Sequence, residues 1–300
     1  MSAPRNTVGH ALVKGAKWLD GFAKFFGAIV TGFYSIPGTR PLKTLLHGTW
    51  PLKHPLHPAV TDLTVGGYIV VVALDVYYLV TSDPGLTRAT DFVLVLTLLS
   101  SVVAIISGLT DWNETFGEER RTGMLHGLLM IVVNVGFATS LWLRVGGADL
   151  RLPAIAIAVV ALVVLLVASY LGGEMVFGYG TEVNRQAWAE PPTKWELLDV
   201  PAKRLEDRKP IVAKTKSGFA VFLVQLDGKV YAMGNTCTHA GGPLNEGKWV
   251  GGDRCEIECP WHASRFCVKD GDVHGGPATF PEVRIQAREH DSGFLEVRAV

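Results

Sequence analysis

The sequence is short of charge. Only 19% of its 300 residues are Asp, Glu, Lys or Arg, against about 25% in an ordinary soluble chain. Neither sign is in excess. The 28 basic residues balance 28 acidic ones, so no global positive field marks a nucleic-acid binder. Four cysteines are too few for a disulfide-built scaffold. No G-x-G-x-x-G lies between a strand and a helix, so the chain brings no hydride chemistry of its own. A cleaved leader is not expected. The first apolar stretch is interrupted by Lys14, Lys17, Asp20 and Lys24, and no twin-arginine pair precedes it. What the chain has in plenty is hydrophobic residue, 48%, and its distribution is uneven. Apolar runs crowd residues 59–178 and charge crowds the rest. That pattern excludes disorder, a collagen-like chain and a purely soluble protein.

A transmembrane helix needs about 20 apolar residues. Four windows qualify: Ala59–Val80, Asp91–Gly108, Gly123–Leu143 and Leu152–Phe177. The links are short. Thr81–Thr90 holds an Asp-Pro-Gly turn signal, Asp111–Arg121 is charged, and Gly146–Arg151 holds Gly-Gly. Trp50, Trp112 and Trp142 sit at expected span ends, where an aromatic belt belongs. Four spans put both termini on one side. Arg5, Lys14, Lys17, Lys24, Arg40, Lys43, Lys53, Arg120, Arg121, Arg185 and Lys194 lie there, against Arg88, Arg144 and Arg151 opposite. The positive-inside rule then places both termini, and whatever follows the last span, in the cytoplasm of a plasma-membrane protein.

Residues 1–50 are basic and amphipathic, with Trp18, Leu19, Phe22, Phe25 and Phe26 at helical spacing among lysines. They read as an interfacial helix or as a docking surface for a partner subunit. The four-helix membrane domain occupies residues 51–180, a linker residues 181–193, and an all-β domain residues 194–300. In the last of these, Phe219–Val224, Asp227-Gly228 and Val230–Met233 form a hairpin with a tight turn. Ile257-Glu258, Ser264–Val268 and Phe294–Val297 continue the strand pattern. About 105 residues suffice for one small β domain.

That domain carries Cys237-Thr-His239, then nineteen residues, then Cys259-Pro-Trp-His262. Each loop offers one thiolate and one imidazole. A Cys₂His₂ zinc site is one reading, but zinc fingers usually present their cysteines together and their histidines together. The alternation is what a Rieske [2Fe-2S] cluster needs, with two thiolates on one iron and two imidazoles on the other. Gly241, Gly242, Pro243 and Pro260 let backbone N–H groups approach the sulfurs.

Asn-Thr-Cys-Thr-His-Ala-Gly-Gly-Pro-Leu and Cys-Pro-Trp-His-Ala-Ser-Arg-Phe resemble the two cluster-binding loops of the Rieske family. Gly276-Pro277-Ala278 is similar to its closing loop. The resemblance implies Cys237, His239, Cys259 and His262 as ligands. Quinol-oxidising members have an extra, disulfide-linked cysteine in each loop. Here those positions are Gly242 and Trp261, and Cys255 and Cys267 read as free thiols. Those members also place a serine and a tyrosine beside the cluster. Ser264 is retained, but Phe266 takes the tyrosine position. Losing a donor disfavours the reduced cluster, so the potential is expected to lie below that of the quinol-oxidising centres.

In the membrane half, His54-Pro-Leu-His57-Pro-Ala-Val-Thr-Asp62, Gly108-Leu-Thr-Asp111-Trp112 and Arg120-Arg121-Thr-Gly-Met-Leu-His126 resemble a widespread four-helix membrane domain family. His57, Asp62, Asp111, Trp112 and His126 all fall at cytoplasmic span ends, where ionisable groups face protein or a cavity. Three readings stand: a quinone pocket, a haem b with His57 and His126 as axial ligands, or capping and interfacial residues only. Asp75 falls mid-span and is expected to serve a proton path or to bond a neighbour such as Asn134. Gly66-Gly67 and Gly172-Gly173 suit close helix packing.

The whole arrangement resembles the Rieske-bearing membrane anchor of the actinobacterial type of succinate dehydrogenase. That resemblance implies a relay from flavoprotein and iron–sulfur partner subunits, through this cluster, to menaquinone in the bilayer. The alternatives are a stand-alone membrane redox protein serving a soluble oxygenase or oxidising quinol, and a sensor whose cluster reports redox state.

Overall fold

The computed structural model describes residues 7–251 and 255–300. Arg5, counted above in the charge balance, lies outside them. The chain divides into two compact units. The first runs to Leu46 and resumes over Leu56–Thr181; the second takes His47–Pro55 and Glu182–Val300.

The first unit is helical. α1 (Val8–Lys14) is capped by Thr7, whose hydroxyl accepts from the His10 N–H at 3.1 Å. α2 (Leu19–Tyr34) buries Leu19 and Ala23 against Trp112 and Met124. The aromatics Trp18, Phe22 and Phe25 of the same segment stay exposed. α3 (Arg40–His47) follows. The four expected spans are α4 (Leu56–Thr81), α5 (Gly85–Trp112), α6 (Gly117–Gly146) and α7 (Arg151–Glu174). Each is long and apolar enough to cross a membrane. α5 and α6 begin several residues before their apolar cores. Asp83 accepts from the Gly85 N–H at 2.8 Å at the start of α5, and Glu118 and Glu119 complement the positive end of α6. The bundle's outer face is apolar: Leu63, Val80, Phe92 and Val160 are exposed, as lipid contact requires.

α4 packs most closely on α5, and α6 on α7. The two hairpins repeat one another. Along α4 and α6, equal spacing pairs His57 with His126, Gly67 with Gly136, Tyr68 with Phe137, Val71 with Ser140 and Asp75 with Arg144. Along α5 and α7 it pairs Thr97 with Ala161, Ala104 with Ala168 and Gly108 with Gly172. Equivalent residues meet each other at three levels. His57 lies against His126, Tyr68 stacks on Phe137, and Asp75 pairs with Arg144. The hairpins are therefore related about an axis running between α4 and α6. At about 1.5 Å per residue the three levels span about 27 Å, close to the bilayer's apolar thickness.

Two sequence expectations change here. Asp75 is not mid-span but six residues from the end of α4, and its partner is the fully buried Arg144 guanidinium rather than Asn134. Asn134 instead accepts from the Tyr68 hydroxyl at 2.8 Å. Arg144 also reaches Asp91 at 3.4 Å, and Arg151 holds both oxygens of Asp91 at 2.8 and 2.9 Å. Two acids and two bases from all four helices neutralise one another, which a buried charge requires. Trp112 is not a belt residue. It is buried, donates to the Arg120 carbonyl at 2.9 Å and lies 4.5 Å beneath the Arg120 guanidinium. Trp50 and Trp142 are exposed.

The second unit is all-β. Its strands are β1 (Glu196–Pro201), β2 (Ile211–Lys214), β3 (Ala220–Leu226), β4 (Lys229–Gly234), β5 (Lys248–Val250), β6 (Glu256–Glu258), β7 (Arg265–Cys267), β8 (Val273–Gly275), β9 (Arg284–Glu289) and β10 (Phe294–Ala299). They form antiparallel sheets in the orders β1-β10-β9-β4-β3-β2 and β5-β6-β7-β8. The expected hairpin is β3–β4, with Leu226 paired to Lys229. Asp227 (φ 50°) and Gly228 (φ 78°) supply the two positive φ angles that a tight primed turn needs. β3 is apolar on both faces. Val221 and Leu223 enter a core with Leu198 and Val297, and Phe222 and Val224 enter another with Met233, Ile257 and Phe266. Cys255 and Cys267 are not free thiols; they are joined by a disulfide beside the β6–β7 pairing.

Candidate functional site

Three loops at one end of the small sheet build the site. The β4–β5 loop carries Cys237 and His239, the β6–β7 loop carries Cys259 and His262, and the β8–β9 loop opens with Gly276. The first is closed on itself: the Cys237 N–H donates to the Gly242 carbonyl and the Gly241 N–H to the Cys237 carbonyl, both at 2.9 Å. The second closes the same way, with the Cys259 N–H to the Ser264 carbonyl at 2.8 Å and the Ala263 N–H to the Cys259 carbonyl at 3.1 Å. Two glycines set the spacing. A Cβ on Gly242 would lie 2.8 Å from the Cys259 sulfur, and one on Gly276 would lie 2.5 Å from the Ser264 Cα.

The four expected ligands converge in two pairs. The Cys237 and Cys259 thiols are in hydrogen-bond contact and buried. The His239 and His262 rings meet edge to face, with centroids 4.8 Å apart. His239 turns Nε2 toward the Glu182 carboxylate at 4.0 Å, and its Nδ1 is buried. The backbone N–H of His239 points at the Cys237 sulfur, and those of Trp261 and His262 at the Cys259 sulfur. The shared thiol contact splits the acidities. Assisted by those two N–H groups, it holds Cys259 down to about 7. The same contact, reinforced by burial, pushes Cys237 up.

This donor set suits a two-iron group. A thiol pair and a separate imidazole pair match the division of ligands over two irons. N–H groups already aimed at both sulfurs would stabilise their thiolate charge.

Ser264 is buried and accepts from the Ala278 N–H at 3.0 Å, tying the second loop to the third. Phe266 is fully buried in the core that also contains Cys237 and Cys259. Two further residues went unnoticed in the sequence. Glu282 is buried, and one carboxylate oxygen accepts from the Thr238 N–H, between the two first-loop ligands, at 3.0 Å. Its other oxygen accepts from the Gln186 amide, which also donates to the Thr236 carbonyl. Burial pushes the Glu282 carboxyl well above the usual carboxylate range. Gln186 stands fifty residues from Thr236, so no local pattern could reveal the link.

In the membrane unit, His57 and His126 face each other. Asp111 and Trp112 are buried at the end of α5, with Trp112 engaged by α2 and Arg120. Asp62 is exposed.

Comparison with known proteins divides the chain in the same way. Residues 53–185 match the family of predicted membrane proteins designated DUF2231, and residues 196–287 match the Rieske [2Fe-2S] domain. The chain is 34% identical over 88 residues to the 3-phenylpropionate/cinnamic acid dioxygenase ferredoxin subunit of Escherichia coli K12, covering 72% of that protein and 28% of this one. It is 34% identical over 73 residues to the biphenyl dioxygenase ferredoxin subunit of Pseudomonas sp. KKS102. There it spans 65% of the relative's length and 23% of its own. Among solved structures, the ferredoxin of carbazole 1,9a-dioxygenase from Nocardioides aromaticivorans IC177 aligns over 98% of its length and 36% of this chain, with 26% identity and a TM-score of 0.31.

Proposed function

This chain belongs to the Rieske [2Fe-2S] family through residues 196–287, and on that footing we propose that it is a membrane-bound one-electron carrier. The observation that carries the reading is the pairing of Cys237 with Cys259 and of His239 with His262. When bound, the cluster accepts and releases a single electron. The cysteines, buried at the base, exclude water from the sulfur side. The His239 side chain is 9% exposed and His262 is intermediate; this imidazole edge is the one we assign to electron entry and exit.

Two partners compete. The ferredoxin subunits of dioxygenases among the relatives favour a soluble oxygenase as acceptor. The union of a four-helix membrane domain with a Rieske domain favours the anchor of a quinone-linked dehydrogenase, succinate:menaquinone oxidoreductase in particular, with flavoprotein and iron–sulfur subunits upstream. Electron paramagnetic resonance on native membranes under anaerobic conditions decides. Reduction of the cluster by succinate, in the presence of a quinone-site inhibitor, supports the dehydrogenase. Reduction by NADH through a soluble reductase, with no response to succinate, supports the oxygenase.

The basic-residue balance supports a cytoplasmic Rieske domain. The Cys255–Cys267 disulfide favours a second reading, with the domain on the oxidising outer face.

A further inference from the structure

The His57–His126 pair lies outside the Rieske site. The rings stand at 85° with centroids 6.5 Å apart. Each ring is held in the same way by its own hairpin. His57 Nδ1 lies 2.8 Å from the Ala104 carbonyl, and His126 Nδ1 lies 2.8 Å from the Ala168 carbonyl. Ala104 and Ala168 are themselves equivalent in the two hairpins. One turn further on, Gly108 and Gly172 make room for the rings. A Cβ on Gly108 would lie 2.6 Å from His57 Cε1, and one on Gly172 would lie 3.2 Å from His126 Cε1.

A carbonyl oxygen only accepts, so both imidazoles carry their proton on Nδ1. The lone pair is then on Nε2, pointing away from the Nδ1 partner. No hydrogen bond to either Nε2 is made among the described residues. Two unbonded acceptors of this kind, 6.5 Å apart by ring centroid in an apolar bundle, leave room for an electrophilic partner. This is the orientation of metal-ligating histidine, with the second ring nitrogen donating to a backbone carbonyl.

Two protein ligands leave a bare first-row ion short of donors, since zinc takes four. No third His, Cys, Asp or Glu joins the pair among the described residues. A porphyrin supplies the remaining four nitrogens in its own plane and asks the protein only for axial ligands. Two imidazoles on opposite sides of one iron would have centroids about 6.3 Å apart, given a metal–nitrogen bond of about 2.0–2.1 Å. A quinone bridged through both carbonyls would hold the rings roughly 13 Å apart with ordinary hydrogen bonds.

We propose that the bundle binds one b-type haem between His57 and His126, coordinated by both Nε2 atoms. Haem is a second one-electron centre, distinct from the Rieske cluster, and the proposal does not depend on which partner the Rieske domain serves.

The test uses the full chain, purified in detergent from a haem-sufficient host and titrated with hemin. The expected result is one haem per chain by pyridine haemochrome, with the low-spin absorbance of bis-histidine ligation. His57→Ala and His126→Ala should each fall below a tenth of that occupancy while keeping helix content and the Rieske resonance signal. His57→Met should keep haem with a shifted spectrum. Hemin uptake by the wild type no greater than by the double alanine variant would overturn the proposal, as would a divalent metal found in place of haem. Should a variant lose helix content, wild-type uptake and its spectrum still decide.

Discussion

Asp75 and Arg144 occupy the same place in their respective hairpins, and each is the other's principal partner. The Arg144 guanidinium takes both carboxylate oxygens of Asp75, and both side chains are fully buried. A duplication that yielded identical residues here would bury two like charges. One hairpin carries the acid and the other the base, so the pair closes the bundle at the end opposite the histidines.

Removing one member should therefore cost far more than removing both. Arg144→Met leaves the Asp75 carboxylate without its bidentate partner, and a loss of about 3–5 kcal/mol is expected. Asp75→Leu combined with Arg144→Met should recover most of it. Thermal unfolding in detergent compares the three. Equal losses in the single and double variants would show that the pair does not hold the bundle.

Cys259→Ser and His262→Ala should each abolish the resonance signal of the reduced cluster and cut bound iron. In a dehydrogenase complex they should stop quinone reduction yet leave dye reduction by the partner subunits. Wild-type iron content in either variant would remove that residue from the ligand set.

The cluster potential should lie below that of quinol-oxidising Rieske centres, because Phe266 has no hydroxyl to offer. Phe266→Tyr should raise the midpoint. Ser264→Ala should lower it and also strand the Ala278 N–H. Redox titration followed by resonance tests all three, and a midpoint unmoved by either substitution would contradict the reading.

Glu282→Leu removes the acceptor for both the Thr238 N–H and the Gln186 amide. Each buried donor left unpaired costs about 1–3 kcal/mol. Glu282→Gln, which keeps an acceptor for Thr238, should lose less. Thermal unfolding and the rate of cluster loss would report both; equal effects would deny the carboxyl its part in holding the first loop.

A C-terminal protease-sensitive tag should be cut in inverted vesicles and protected in intact cells, as a cytoplasmic domain requires. Cleavage from outside would place the Cys255–Cys267 disulfide in an oxidising compartment and invert the topology.

Much of this was legible in the chain. Long apolar runs announce membrane spans whatever surrounds them, because the bilayer imposes its own thickness. The Cys-x-His and Cys-x₂-His spacing announces the cluster, because ligands on a short loop converge with little help from the rest of the fold. Asp227-Gly228 announces its hairpin, because few residues accept two positive φ angles. The short, mixed strands β1, β2, β5, β8 and β9 carried no comparable signal.

Relationships between distant segments were decided only by tertiary packing. The two hairpins share few identical residues. Their equivalence lies in roles, Tyr68 stacked on Phe137 and Asp75 set against Arg144, which appear only when equivalent positions touch. The sequence offers Asn134 as readily as Arg144 to satisfy Asp75, since both fall on one helix and hydropathy does not state which turn faces the axis. Gln186 and Glu282 reach the first ligand loop across long separations. The alternation of apolar and polar residues determined which elements form and what chemistry the loops hold. Packing chose their partners, because complementary charge, shape and hydrogen bonding are tested only once the elements meet.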